Sequence, residues 1–135
     1  MTDQAVFRKN IILVVDDEQM ILRLVTSAIA EAGFRAAVAE NGAAGLECYV
    51  KLKDEICLVL ADIVMPAVNG IELAERILEI EPNAKVLLMS GYSDVVLHTQ
   101  GSWQRLPLLR KPFLAAALIA KIQSILGTSA EAAHN

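Results

Sequence analysis

Short apolar runs alternate along the chain with longer amphipathic stretches, and polar turns separate them. Ile11-Ile12-Leu13-Val14-Val15 is apolar at every position, which predicts a strand over 10–15 with both faces covered. Ile21, Leu22, Val25, Ile29 and Ala32 then fall at helical spacing and predict a helix over 19–32, with Gly33 as its left-handed cap. A strand over 34–39, the turn Glu40-Asn41-Gly42 and a helix over 43–52 follow. The run Ile56-Cys57-Leu58-Val59-Leu60-Ala61 predicts a third strand that delivers Asp62 into a loop broken by Pro66 and Gly70. From Gly70, the positions Ile71, Leu73, Ala74, Ile77 and Leu78 predict a third helix, stopped by Pro82. A strand over 85–89, a short helix from Asp94 to His98 closed by Gly101-Ser102, a strand over 106–110 and a helix over 113–126 complete the pattern. Strand and helix alternate throughout, so an α/β doubly wound parallel sheet with right-handed crossovers is the expected architecture.

Composition narrows the class. A chain of 135 residues is long enough for one domain with a substantial core. Its 55% hydrophobic content and mean hydropathy of +0.46 exclude disorder, yet the apolar residues lie in runs too short to span a bilayer. The polar start MTDQAVFRKN has no apolar signal-peptide core. The expected layout is an N-terminal extension over 1–9, the folded domain over 10–127 and a disordered tail over 128–135. A net charge of −4 without a Lys/Arg cluster gives no footprint for direct nucleic-acid binding. Cys48 and Cys57 match neither a metal spacing nor a disulfide framework and read as reduced thiols of a cytoplasmic protein with no membrane insertion.

The candidate chemistry lies just past the strands. Asp16 and Asp17 follow the first, Asp62 the third, Ser90 the fourth and Lys111 the fifth. In a parallel sheet these ends share one edge, so three carboxylates, a hydroxyl and an ammonium group converge there. Such a set suits Mg²⁺ binding and phosphoryl acceptance by a carboxylate. The plainer alternative for each residue is a helix cap, a turn or a solvated lysine, but none of these explains why all share one edge.

Asp16-Asp17, Asp62, Met65-Pro66, Gly70, Ser90-Gly91 and Lys111-Pro112-Phe113, in this order, resemble the signature of the receiver domain of two-component response regulators from about Ile11 to Leu126. That resemblance implies a flavodoxin-like sheet of strand order 2-1-3-4-5 flanked by five helices. It implies Asp62 as phosphoacceptor, and Mg²⁺ on Asp17, Asp62 and the backbone carbonyl of Val64, with Asp16 acting through a bound water. Lys111 pairs with the phosphoryl oxygens and Ser90 hydrogen-bonds the phosphoryl group. The implied partners are a histidine kinase or phosphotransfer domain. The segment from Met89 to Asp94 resembles receivers attached to hybrid sensor kinases.

Departures from the family pattern carry their own expectations. Leu108 stands where an aromatic ring often swings on activation, so any readout should rest on Ser90 and backbone shifts. Val64 and Tyr92 offer no acid or amide to orient a hydrolytic water, which implies slow to moderate self-dephosphorylation. Leu114 replaces a usual cap, and the last helix, apolar on most sides, packs Leu118, Ile122 and Ile125 on the sheet. Its remaining apolar surface favours a homodimer or a docked kinase on the face of the fourth helix, fifth strand and fifth helix. A metabolic phosphatase would need an acid where Val64 stands. A nucleotide-binding domain would need a Gly- or Ser-rich loop in place of Asp16-Asp17-Glu18. A receiver-like domain that acts without phosphorylation is the alternative that remains.

Overall fold

In a computed structural model of the chain, residues 9–91 and 106–127 are described. The strands are β1 (Ile11–Val15), β2 (Arg35–Ala39), β3 (Ile56–Asp62), β4 (Val86–Ser90) and β5 (Leu108–Arg110). They form one parallel sheet in the order β2-β1-β3-β4-β5, as expected. The helices described are α1 (Gln19–Glu31), α2 (Gly42–Leu52), α3 (Gly70–Ile80) and α4 (Ala115–Leu126). The helix expected from Asp94 to His98 lies outside the described residues, as do Tyr92 and most of the N-terminal extension and tail.

Period-two alternation within the strands sorts the core into two layers. Leu13, Val15, Val59, Ala61, Val86 and Leu88 meet Tyr49 of α2 and Leu73, Ala74 and Ile77 of α3. Ile12, Val14, Leu58, Leu60, Leu87 and Met89 meet Leu22, Val25 and Ile29 of α1 and Leu118 and Ile122 of α4. Because both faces are covered, β1 and β4 are buried at every position, which is why they read as unbroken apolar runs. Leu118 and Ile122 are fully buried and Ile125 packs beside them, the face expected of the last helix.

Turn chemistry fixes where the helices start and stop. Asn41 and Asn69 cap α2 and α3, their side chains accepting the backbone N–H of Ala44 at 2.8 Å and of Glu72 at 2.9 Å. Gly33 adopts φ +98° just past α1, the left-handed position anticipated for it. Two boundaries fall short of expectation. β5 has three residues rather than five because Pro107 has no N–H to give the ladder, although its carbonyl still accepts from Leu88 at 3.0 Å. The last helix begins at Ala115 rather than at residue 113, because Leu114 holds an extended backbone (φ −85°, ψ 152°) as its N-cap.

One close approach ties the fold to the end of β3. Gly70 opens α3 directly against the backbone of Asp62, and its N–H donates to the Ile63 carbonyl at 3.0 Å. A Cβ there would collide with the Asp62 carbonyl oxygen. Gly70→Ala is therefore expected to cost about 1–3 kcal/mol, the usual penalty for overpacking. Gly91→Ala, where a Cβ meets nothing within 4 Å among the described residues, should stay within about 0.5 kcal/mol of the parent. Urea unfolding of the two variants checks this, and equal midpoints would contradict it.

Candidate functional site

At the C-terminal edge of the sheet, the chain leaves β1 toward one side and β3 toward the other. Such a switch point leaves a crevice between neighbouring strand ends. Asp16 and Asp62 continue the alternation of Val14 and Leu60, so both carboxylates turn toward the α1/α4 layer. Asp16 is fully buried and Asp62 nearly so, while Asp17 is exposed. One carboxylate oxygen from each of the three lies within 4.8 Å of the others.

Lys111, at the end of β5, reaches across into this cluster. Its Nζ lies 3.0 Å from Asp16 Oδ2, 3.2 Å from Glu18 Oε1 and 3.5 Å from Asp62 Oδ2. Its backbone N–H donates to the Ser90 carbonyl at 2.7 Å, which locks the ends of β4 and β5 together. Ser90 is buried, and its hydroxyl donates to the Gly91 carbonyl at 3.3 Å. α1 opens on the Glu18 carbonyl, which accepts the Leu22 N–H at 3.1 Å. Glu18 is the N-cap residue and makes no side-chain cap bond, while Asp16 Oδ1 accepts the Glu18 N–H at 2.9 Å.

The electrostatics follow from crowding acids in a dry place. Burial pushes the Asp62 carboxyl up to about 6, the negative charge of Asp16 adds to the rise, and Lys111 and the Val64 N–H only partly oppose it. Burial also raises Asp16, against the pull of the Glu18 N–H and Lys111. For Lys111, burial favours the neutral amine, but the Asp16 hydrogen bond and the charge of Asp62 outweigh it and hold the ammonium form. The three acids offer hard oxygen donors, carry more charge than one lysine balances, and open to a cleft. The donor set therefore fits a small divalent cation such as Mg²⁺.

That cleft, of about 590 Å³, is lined by Asp17, Glu18, Ile21, Asp62, Val64 and Lys111 among others. The Val64 side chain stands exposed at its rim. A second cavity of about 400 Å³, between Lys9, Tyr49 and Lys85 at the opposite edge of the sheet, contains no comparable acid cluster. Strand-end reasoning thus finds Asp16, Asp17, Asp62 and Lys111 at one place, with Ser90 tied to Lys111 through the backbone. It misses Glu18 as a partner of Lys111 and Gly70 as the backrest of Asp62. The signal for Glu18 was its place directly after the paired acids.

Comparison with known proteins gives the family. Residues 12–123 match the response regulator receiver domain family, and the chain belongs to it. It is 37% identical over 120 residues to the response regulator receiver protein CpdR of Brucella abortus, covering 87% of this chain and 97% of that protein. It is 35% identical over 128 residues to a CpxR homologue, a transcriptional regulatory protein of Haemophilus influenzae, of which it spans only 53%. Among solved structures, the receiver domain of NtrX from Brucella abortus superposes with a TM-score of 0.76 at 28% identity, over 87% of this chain and 99% of that one. Membership places the chain among signalling domains of two-component systems rather than among metabolic enzymes. Among the described residues, no helix is long and apolar enough to cross a membrane.

The raised Asp62 carboxyl has a definite sign in stability. Between its ordinary value near 3.8 and about 6, the folded protein binds the proton that the unfolded chain has already lost. Asp62 therefore costs stability progressively as pH rises through that window, reaching about 3 kcal/mol above it. In chelator-treated protein, Asp62→Asn is expected to match the parent near pH 4 and to exceed it in stability by that order above pH 7. Urea midpoints across this range check it, and parallel curves would contradict it.

Proposed function

We propose that the chain accepts a phosphoryl group on Asp62 from the phosphohistidine of a histidine kinase or phosphotransfer domain, and that this changes its binding to a partner. The observation that carries the reading is a buried carboxylate, held between two further acids and one lysine, at the floor of an open cleft. With its carboxyl near 6, Asp62 is ionised at neutral pH and free to act as the nucleophile. One Asp62 oxygen forms a bond to phosphorus as the phosphorus–nitrogen bond to the donor imidazole breaks, and the bonding pair leaves on that nitrogen.

Asp17, Asp62 and the Val64 carbonyl, with Asp16 behind them, would hold Mg²⁺, which when bound supplies positive charge to the phosphoryl oxygens. Lys111 donates to those oxygens from the other side. Ser90 hydrogen-bonds the modified group and, with the backbone it shares with Lys111, carries the change to the surface. Leu108 packs into the core layer beside α2 and α3, which fits a readout without an aromatic toggle.

The rim suits a protein donor. Val64, 54% exposed, lines the cleft together with Ile21 and Pro112. Exposed apolar side chains around a charged floor give a docking partner contact area without competing for the phosphoryl group. Val64 also lacks any group to orient a water, so loss of the phosphoryl group without a partner is slow to moderate.

Intact mass after incubation with an acyl phosphate tests the reading. A gain of one phosphoryl group that requires Mg²⁺ and disappears in Asp62→Asn is the expected result. Retention of the label well beyond seconds after donor removal is expected as well. No gain under any condition would instead favour a receiver-like domain that binds partners without phosphorylation.

A further inference from the structure

Lys111 sits nearer to two other acids than to the proposed phosphoacceptor. The distances are 3.0 Å to Asp16 and 3.2 Å to Glu18, against 3.5 Å to Asp62. An ammonium group has three N–H donors, and here each has a carboxylate to face. The three acceptors are not equivalent. Asp16 is fully buried, so losing the lysine would strand a charge away from water. Glu18 is 62% exposed, and among the described residues its carboxylate has no other hydrogen-bond partner.

We propose that Glu18 is a positioning residue that holds Lys111 back in the unphosphorylated protein and releases it when the phosphoryl group arrives. The inference rests on the reading of Asp62 as phosphoacceptor. A phosphoryl group carries its anionic oxygens outward from the Asp62 carboxylate that Lys111 now faces at 3.5 Å, so Lys111 must turn from Asp16 or Glu18, its two nearer acceptors, to close on them. Glu18 is the acceptor that is cheapest to lose, because its exposed carboxylate returns to water while that of Asp16 cannot. Each transfer therefore includes the breaking of the Glu18–Lys111 bond. The freed carboxylate then lies at the N-terminus of α1, where the helix dipole favours it. Glu18 thus slows acceptance by the worth of one exposed ion pair and marks the modified state at the start of α1.

The test is the rate of Asp62 phosphorylation with Mg²⁺, followed by intact mass, for the parent and three variants. Two donors are used, an acyl phosphate and zwitterionic phosphoramidate. Glu18→Gln should raise the rate about two- to fivefold with both donors, the span to which an exposed ion pair converts. Glu18→Asp keeps the charge but shortens the reach by one methylene, and should follow Glu18→Gln. Glu40→Gln removes an exposed acid that bonds Gln19 rather than Lys111, and should stay at the parent rate.

The outcomes separate cleanly. A parent that takes no label overturns the assignment of Asp62 itself. A labelled parent with Glu18→Gln at the same rate overturns the role of Glu18 and leaves Asp62 in place. Acceleration in Glu18→Gln but not in Glu18→Asp, whatever Glu40→Gln does, would trace the effect to charge alone, and would also overturn it.

Discussion

One ammonium group stands against four carboxylates at the edge of the sheet, and much of the surrounding structure follows from that imbalance. Burial alone pulls Lys111 toward the neutral amine, and Asp16, Glu18 and Asp62 around it more than offset that pull. Asp16 in turn is buried completely, which is tolerable only with a cation beside it and a backbone N–H on its other oxygen. Neither group could occupy its place without the other. The balance still leaves the acids in excess, which gives the site an affinity for positive charge before any ligand is considered.

The sheet is what makes so crowded an arrangement affordable. Strands buried on both faces supply a core of Ile, Leu, Val and Met, each such side chain contributing roughly 1.5–3 kcal/mol on burial. Against that reserve, the cost of one raised carboxyl is small. The order β2-β1-β3-β4-β5 puts β1 and β3 side by side, so their acids meet without any loop having to reach for them. A receiver domain is in this sense a stable sheet with a deliberately uncomfortable edge.

Much of this was legible in the chain itself, for identifiable reasons. Apolar runs marked the strands because both faces are buried, and Gly33 marked the end of α1 through capping chemistry that acts locally, whereas the caps supplied by Asn41 and Asn69 were read only as turn and loop residues. The acids and the lysine were legible as a group because parallel strands bring their ends to one edge whatever the loops do. The Glu18–Lys111 bond was not legible, since it joins residues 93 positions apart and an exposed acid beside a turn has many possible partners. The short β5 escaped because the apolar run continues past the point where Pro107 interrupts the ladder. The contact of Gly70 with Asp62 also escaped, since a glycine at a helix start has several common explanations.

The shortness of β5 has a mechanical consequence. The acids are borne by β1 and β3, interior strands with neighbours on both sides, whereas the lysine is borne by a three-residue strand at the end of the sheet with one neighbour, β4. The site is therefore built like a vice with one anchored jaw and one compliant jaw. Charge added to the anchored side need not deform the core to be felt. It can be taken up by the jaw that yields most easily, the strand edge that carries Lys111.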